Sequence, residues 1–137
     1  MLTTISKTFD FDAAHRLDRL PPEHKCYRLH GHTYRVEIRV RGEPGGRLGM
    51  VVDYADIAAA WKPIHDALDH RYLNEIEGLG VPTTELLAEW ILVRLLDFSI
   101  EVHSPQPEGV QFFSLGGLAV SVRVYESATT YAEVGRA

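Results

Sequence analysis

Residues 30–41 read His30-Gly31-His32-Thr33-Tyr34-Arg35-Val36-Glu37-Ile38-Arg39-Val40-Arg41, and this stretch decides the fold. Tyr34, Val36, Ile38 and Val40 alternate with Thr33, Arg35, Glu37, Arg39 and Arg41. Successive side chains of an extended chain point to opposite faces, so a period of two makes one face apolar and the other wet. That pattern belongs to an antiparallel sheet with one solvated face. Residues 4–15 alternate in the same way. Ile5, Phe9, Phe11 and Ala13 share one parity, with Lys7 the exception, and Thr4, Ser6, Thr8, Asp10 and Asp12 hold the other. Downstream, residues 42–49 carry Pro44-Gly45-Gly46 and read as a turn, after which Met50-Val51-Val52 is expected to close a hairpin as a short strand. The last clear strand is residues 118–126, where Leu118, Val120, Val122 and Val124 share a parity.

Two stretches change period. Ile57, Ala60, Trp61, Ile64 and Leu68 recur at spacings of three and four, which predicts a helix over residues 55–68, capped by Asp53 and either kinked or made less regular by Pro63. Pro82-Thr83-Thr84-Glu85 announces a second helix, a hydroxyl cap before an acidic first turn, followed by Leu86, Leu87, Trp90, Ile91, Arg94 and Leu95. Residues 99–117 contain Pro and Gly and read as a loop holding a short strand near 110–113. Strands and helices in this order give an α+β domain with helices packed on one face of an antiparallel sheet.

Composition limits what such a domain does. The 137 residues fit a single domain, 1–137, and carry 14 Lys and Arg against 19 Asp and Glu, a net charge of −5. No basic stretch offsets that acidity, which argues against binding a nucleic-acid backbone. Apolar residues make up 45% of the chain, enough for a core and too many for intrinsic disorder. The single cysteine, Cys26, excludes an intrachain disulfide and fits a reducing compartment. Asp10 and Asp12 lie where a secretory signal would need an apolar run, and residues 86–96 are too short and too charged to span a membrane. A cytoplasmic location is the expectation.

The seven histidines carry most of the chemistry. Followed to its end, the apolar parity of residues 4–15 reaches His15. Read backwards from Val36 through Tyr34, the second strand's apolar parity reaches His32 and His30. A pair at i and i+2 points to one face, and His15 joins it if the two strands pair. Three imidazoles facing the edge of an apolar core are costly unless something binds them. Zn²⁺ suits three nitrogen ligands and would keep a fourth position open. His24, His65 and His103 read as solvated. Cys26 stands in the polar run Glu23-His24-Lys25-Cys26-Tyr27-Arg28, where cationic neighbours and a nearby metal favour a thiolate able to act as general base. Asp69-His70 follows the first helix and reads equally as a helix-end cap or a functional pair. Glu126 ends the apolar parity of the last strand, so its carboxylate needs a partner, and a ligand with two adjacent N–H groups would serve.

Several motifs in order then point to a family. They are Phe11-Asp12-Ala13-Ala14-His15-Arg16-Leu17, Cys26-Tyr27-Arg28-Leu29-His30-Gly31-His32 and Gly49-Met50-Val51-Val52-Asp53-Tyr54. Leu68-Asp69-His70-Arg71-Tyr72-Leu73-Asn74, Pro82-Thr83-Thr84-Glu85 and Glu126 complete the set. Over about residues 3–131 the chain resembles the 6-pyruvoyl-tetrahydropterin synthase / 6-carboxy-tetrahydropterin synthase family. The resemblance implies a tunnelling fold, a four-stranded antiparallel sheet with two helices on one face, assembled as trimers or dimers of trimers with active sites between subunits. It also implies zinc on His15, His30 and His32, Cys26 as general base, and Asp69 with His70 as a proton relay. Glu126, helped by Thr83 and Thr84, would anchor the pterin, and Arg16, Lys25 and Arg28 are candidates for holding a triphosphate. The spacing Cys26-x3-His30-Gly31-His32 resembles the 6-carboxytetrahydropterin synthases of queuosine and 7-deazaguanine biosynthesis. Two features depart from that pattern: the long 99–117 segment, and Ser127 after Glu126 where Thr is commoner. The rival readings are a 6-pyruvoyl synthase and a non-catalytic module whose zinc is structural.

Overall fold

The structure, a computed structural model, describes residues 1–103 and 110–136, and their side chains except at 101–103 and 110–112. The elements run β1 (Thr3–His15), β2 (His30–Gly42), α1 (Tyr54–Leu68), β3 (Arg71–Tyr72), α2 (Thr84–Asp97), β4 (Ser99–His103), β5 (Val110–Ser114), β6 (Ala119–Ser127) and β7 (Thr130–Gly135). The main sheet has the order β3-β1-β2-β6-β7, with β4 and β5 forming a separate two-stranded ribbon.

β1 and β2 pair antiparallel along their whole length, with Phe11 opposite Tyr34, Ala13 opposite His32 and His15 opposite His30. Phe11, Ala13 and His15 are buried together with Tyr34, Val36, Ile38 and Val40. A slip of one residue in either strand would turn that strand's apolar row out to water, so the alternation fixes which face each side chain takes. The Phe11 and Tyr34 rings stack at 5.0 Å across the pair. Lys7, on the apolar parity, is half-buried with its ammonium 5.7 Å from the Phe9 ring. On the other side of β2, Val120, Val122 and Val124 of β6 face Val40, Ile38 and Val36.

Both helices cover this apolar face. All five periodic residues of α1 are buried, and Asp53 caps it through Ala55 N at 2.8 Å. Pro63 does not break α1, which is continuous over 15 residues with the proline exposed. In α2 the buried set is Leu87, Ala88, Trp90, Ile91, Leu92 and Leu95, whereas Leu86 is exposed. Thr83 caps α2 by accepting from Leu86 N at 3.2 Å. Thr83→Ala should therefore lower stability by about 1 kcal/mol, read as a fall of a few degrees in thermal unfolding.

Three expectations need correction. The sheet has five strands rather than four. β1, β2, β6 and β7 are antiparallel, and the two-residue β3 adds a parallel edge beside Ala13 and Ala14 of β1. Met50-Val51-Val52 is not a strand and makes only an isolated bridge from Met50 to Gly45. β2 has β1 on one edge and β6 on the other, so no edge is free to receive it. The 99–117 segment contains the β4–β5 ribbon, so a strand near 110–113 is present but residues 99–103 are not loop. β7 lies beyond the last expected strand. Its inward residues are only Ala132 and Val134, too short an alternation to stand out.

Candidate metal centre and its surroundings

The β1–β2 register brings the predicted histidines together at one end of the sheet. His15 is fully buried, and His30 and His32 are half-buried. His15 Nε2 lies 3.0 Å from His30 Nε2 and 3.2 Å from His32 Nε2. The other ring nitrogens explain that orientation. His15 Nδ1 lies 2.9 Å from the Pro82 carbonyl, and His30 Nδ1 lies 2.7 Å from the Arg28 carbonyl. A carbonyl oxygen only accepts, so each Nδ1 carries the proton and each neutral ring turns the Nε2 lone pair inward. Burial is the main cause that pushes His15 and His32 below the usual histidine range, favouring neutral rings. Converging lone pairs repel unless a cation stands between them. Tetrahedral zinc with nitrogens at about 2.0–2.1 Å spaces its ligands by about 3.3 Å, close to the separations seen. The donor set fits the metal that the resemblance implies.

Glu126 joins this group, and the ligand atoms of His15, His30, His32 and Glu126 all lie within 4.8 Å of one another. Its Oε1 is 3.0 Å from His32 Nε2, and its Oε2 accepts from Thr84 Oγ1 at 2.9 Å. Glu126 thus has two partners within the chain, and its side chain is 26% exposed. The β6–β7 register shifts between Tyr125 and Ser127, which makes Glu126 a bulge residue released from the ladder. Bulges re-aim side chains in this way. Thr84 opens α2 and so delivers its hydroxyl from the helix to the sheet end, while the Thr83 hydroxyl oxygen accepts from Leu86 N in the cap.

Cys26 lies in a 3-10 turn, Lys25–Tyr27, that is tied to the start of the loop by Leu17 N donating to Cys26 O at 2.8 Å. It is half-buried and is not part of the four-residue group. His24 is exposed, as expected, and also caps that turn by accepting from Cys26 N at 3.0 Å. His65 is not simply solvated: it is half-buried, against Trp61, with Nε2 3.9 Å from Asp69 Oδ2. The His103 side chain lies outside the described residues.

Asp69 and His70 form a pair, His70 Nδ1 to Asp69 Oδ2 at 2.8 Å. Asp69 Oδ1 accepts from Asp12 N at 3.0 Å, and His70 N donates to Asp12 O at 2.6 Å, so the turn after α1 is pinned to β1. The bond to Asp12 and the His70 contact hold Asp69 below the usual carboxylate range, and Asp69 raises His70. His70 has φ of 58°, a left-handed backbone that a non-glycine residue adopts at some cost. It lines a cavity of about 570 Å³ with Asp12, Ala14, Gly31, His32 and Thr33. Of these, Asp12, Ala14, Gly31 and Thr33 are on the wet parity of the sheet. His70 itself is not in the four-residue group.

Among the residues proposed for phosphate, Lys25 and Arg28 are exposed. Arg16 is half-buried, its guanidinium 4.5 Å over the Tyr27 ring, and its Nε is buried with no hydrogen-bond partner among the described residues. Asn74 clamps the Arg16 backbone, accepting from Arg16 N and donating to Arg16 O, both at 2.9 Å. Neither the Asn74 clamp nor the roles of the Pro82 and Arg28 carbonyls were read from sequence. A backbone acceptor has no side-chain signature, and Asn74, in the run from Leu68 to Asn74, has no local pattern that points to Arg16.

A profile described as 6-pyruvoyl tetrahydropterin synthase matches residues 4–137. The chain belongs to that family. A 6-carboxy-5,6,7,8-tetrahydropterin synthase from Synechocystis sp. is 37% identical over 123 residues, covering 80% of this chain and 92% of the relative. One from Haemophilus influenzae is 32% identical over 154 residues, covering 94% and 96%. The solved 6-pyruvoyl tetrahydropterin synthase of Caenorhabditis elegans superposes with a TM-score of 0.78 at 24% identity, covering 100% of this chain and 97% of that one. The family's architecture is therefore the architecture seen here. No helix among the described residues is long and apolar enough to cross a membrane.

Proposed function

We propose that the chain is a zinc-dependent lyase that converts 7,8-dihydroneopterin triphosphate and water to 6-carboxy-5,6,7,8-tetrahydropterin, releasing triphosphate and acetaldehyde. This is a step toward 7-deazaguanine and queuosine. The observation that carries the reading is the inward-facing histidine set, with the Nδ1 atoms of His15 and His30 locked by carbonyls. The cysteine spacing and the relatives named 6-carboxy-5,6,7,8-tetrahydropterin synthase support the carboxy product over the pyruvoyl one.

His15, His30 and His32 would hold the metal, which when bound acidifies protons near the substrate oxygens it contacts. The Cys26 thiolate takes a proton from the substrate side chain. Asp69 holds the His70 tautomer so that Nε2 is free to move protons. Glu126 accepts the paired N–H groups of the pterin's amino-pyrimidinone edge, and the Thr84 hydroxyl orients it. Arg16 and Lys25 meet the triphosphate. His70 lines a cavity on the wet side of the sheet, a placement that favours sites shared between copies in a trimer or dimer of trimers. This reading places the protein in the cytoplasm.

Products formed from 7,8-dihydroneopterin triphosphate with zinc present test the proposal directly. Acetaldehyde with a 6-carboxy pterin is the expected result, and a 6-pyruvoyl product would place the chain in the other branch. Glu126 beside the histidines favours a second reading, a closed structural zinc, for which no product at all is expected.

Glu126→Gln keeps the shape but sets a donor against a pterin N–H. It should weaken pterin binding by roughly 2–4 kcal/mol, measured by calorimetric titration. Equal affinity would remove Glu126 as the anchor.

A further inference from the structure

The two demands on Glu126 are incompatible at one moment. Its Oε2 is held by Thr84 Oγ1, and its Oε1 points at His32 Nε2 from 3.0 Å, inside the histidine group. A pterin edge with two N–H donors needs both oxygens of the same carboxylate facing it. The bulge leaves the Glu126 backbone outside the β6–β7 ladder, and its carboxylate is held only through His32 and Thr84 among the described residues. Building on the metal and pterin assignments above, we propose that the Glu126 carboxylate is a fourth, exchangeable donor to the metal in the substrate-free protein. Capture of the pterin edge withdraws it.

No covalent bond is made or broken in this exchange. The carboxylate oxygen leaves one positive partner and accepts N–H groups from another, pivoting on the Thr84 hydroxyl. The metal position is closed by protein while the pocket is empty and is vacated when substrate arrives. The substrate's own side-chain oxygens then find that position free. A three-histidine site thus gains both the closed shell of a structural centre and the open position of a catalytic one, at different stages of binding.

Coupling between two ligands is reciprocal, so this exchange predicts that pterin and zinc oppose each other. The probe is unsubstituted pterin, which has no side chain at its sixth position to reach the metal, and zinc affinity is read by chelator competition. In the wild-type protein, saturating pterin should weaken zinc binding several-fold. Glu126→Gln without pterin should weaken zinc roughly tenfold while still filling at saturating zinc, and added pterin should have no further effect beyond its own sequestration of zinc. Circular dichroism of the zinc-free variant checks its fold, and Thr84→Val, which leaves the carboxylate in place but unpivoted, serves as a milder second variant.

Unchanged zinc affinity in Glu126→Gln overturns the proposal. So does a wild-type zinc affinity that stays the same or tightens when pterin binds. Either result leaves the three-histidine assignment standing, since that fails only if the histidine variants retain zinc.

Discussion

His15→Ala, His30→Ala and His32→Ala should each bring zinc content well below one per chain and remove turnover with it. The three Nε2 atoms converge within hydrogen-bond distance of His15, so the loss of any one leaves two nitrogens and a nearby carboxylate. Two imidazoles do not make the three-nitrogen set that suits a catalytic zinc. His15→Ala also empties a fully buried position and leaves the Pro82 carbonyl without its donor, so it should cost stability as well. His30 and His32 are half-buried, and their variants separate metal loss from unfolding. Elemental analysis beside thermal unfolding reads both quantities. Full zinc in all three variants would sink the metal assignment.

Cys26→Ala should keep its fold and its zinc yet lose turnover by about a hundredfold or more. The links that hold the turn in place use the backbone of Cys26, through Leu17 N and His24 Nδ1, and survive removal of the thiol. The thiol also stands outside the four-residue group, so metal content has no reason to change. A variant with full zinc and unchanged turnover would show that the proton is abstracted elsewhere.

Much of the fold was legible because its strands are long and half-wet. Along β1 and β2 the side chains alternate between core and water, and a period of two at that length has one solution. The same alternation carried the inference to His15, His30 and His32, since parity continues to the end of a strand, whereas Glu126 reaches the group from a bulge. It failed where a strand is too short to show a period, as at β3, or where its inner residues are small, as at Ala132 of β7. It also misassigned Met50-Val51-Val52, because β-branched residues after a turn look like a returning strand whatever the edges of β2 are doing.

The sequence by itself determined the antiparallel sheet, the two amphipathic helices and the three inward histidines, because periodicity is a local property and each such element has an apolar side to bury. Only the tertiary structure decided that β6 takes the second edge of β2. It also decided that the Pro82 carbonyl, 67 residues from His15, sets that ring's tautomer, and that Thr84 meets Glu126 across 42 residues. These contacts join groups whose sequence neighbours carry no trace of the partner. A carbonyl is present at every residue and a threonine at many, and packing α2 against the sheet selects which of them reach the site.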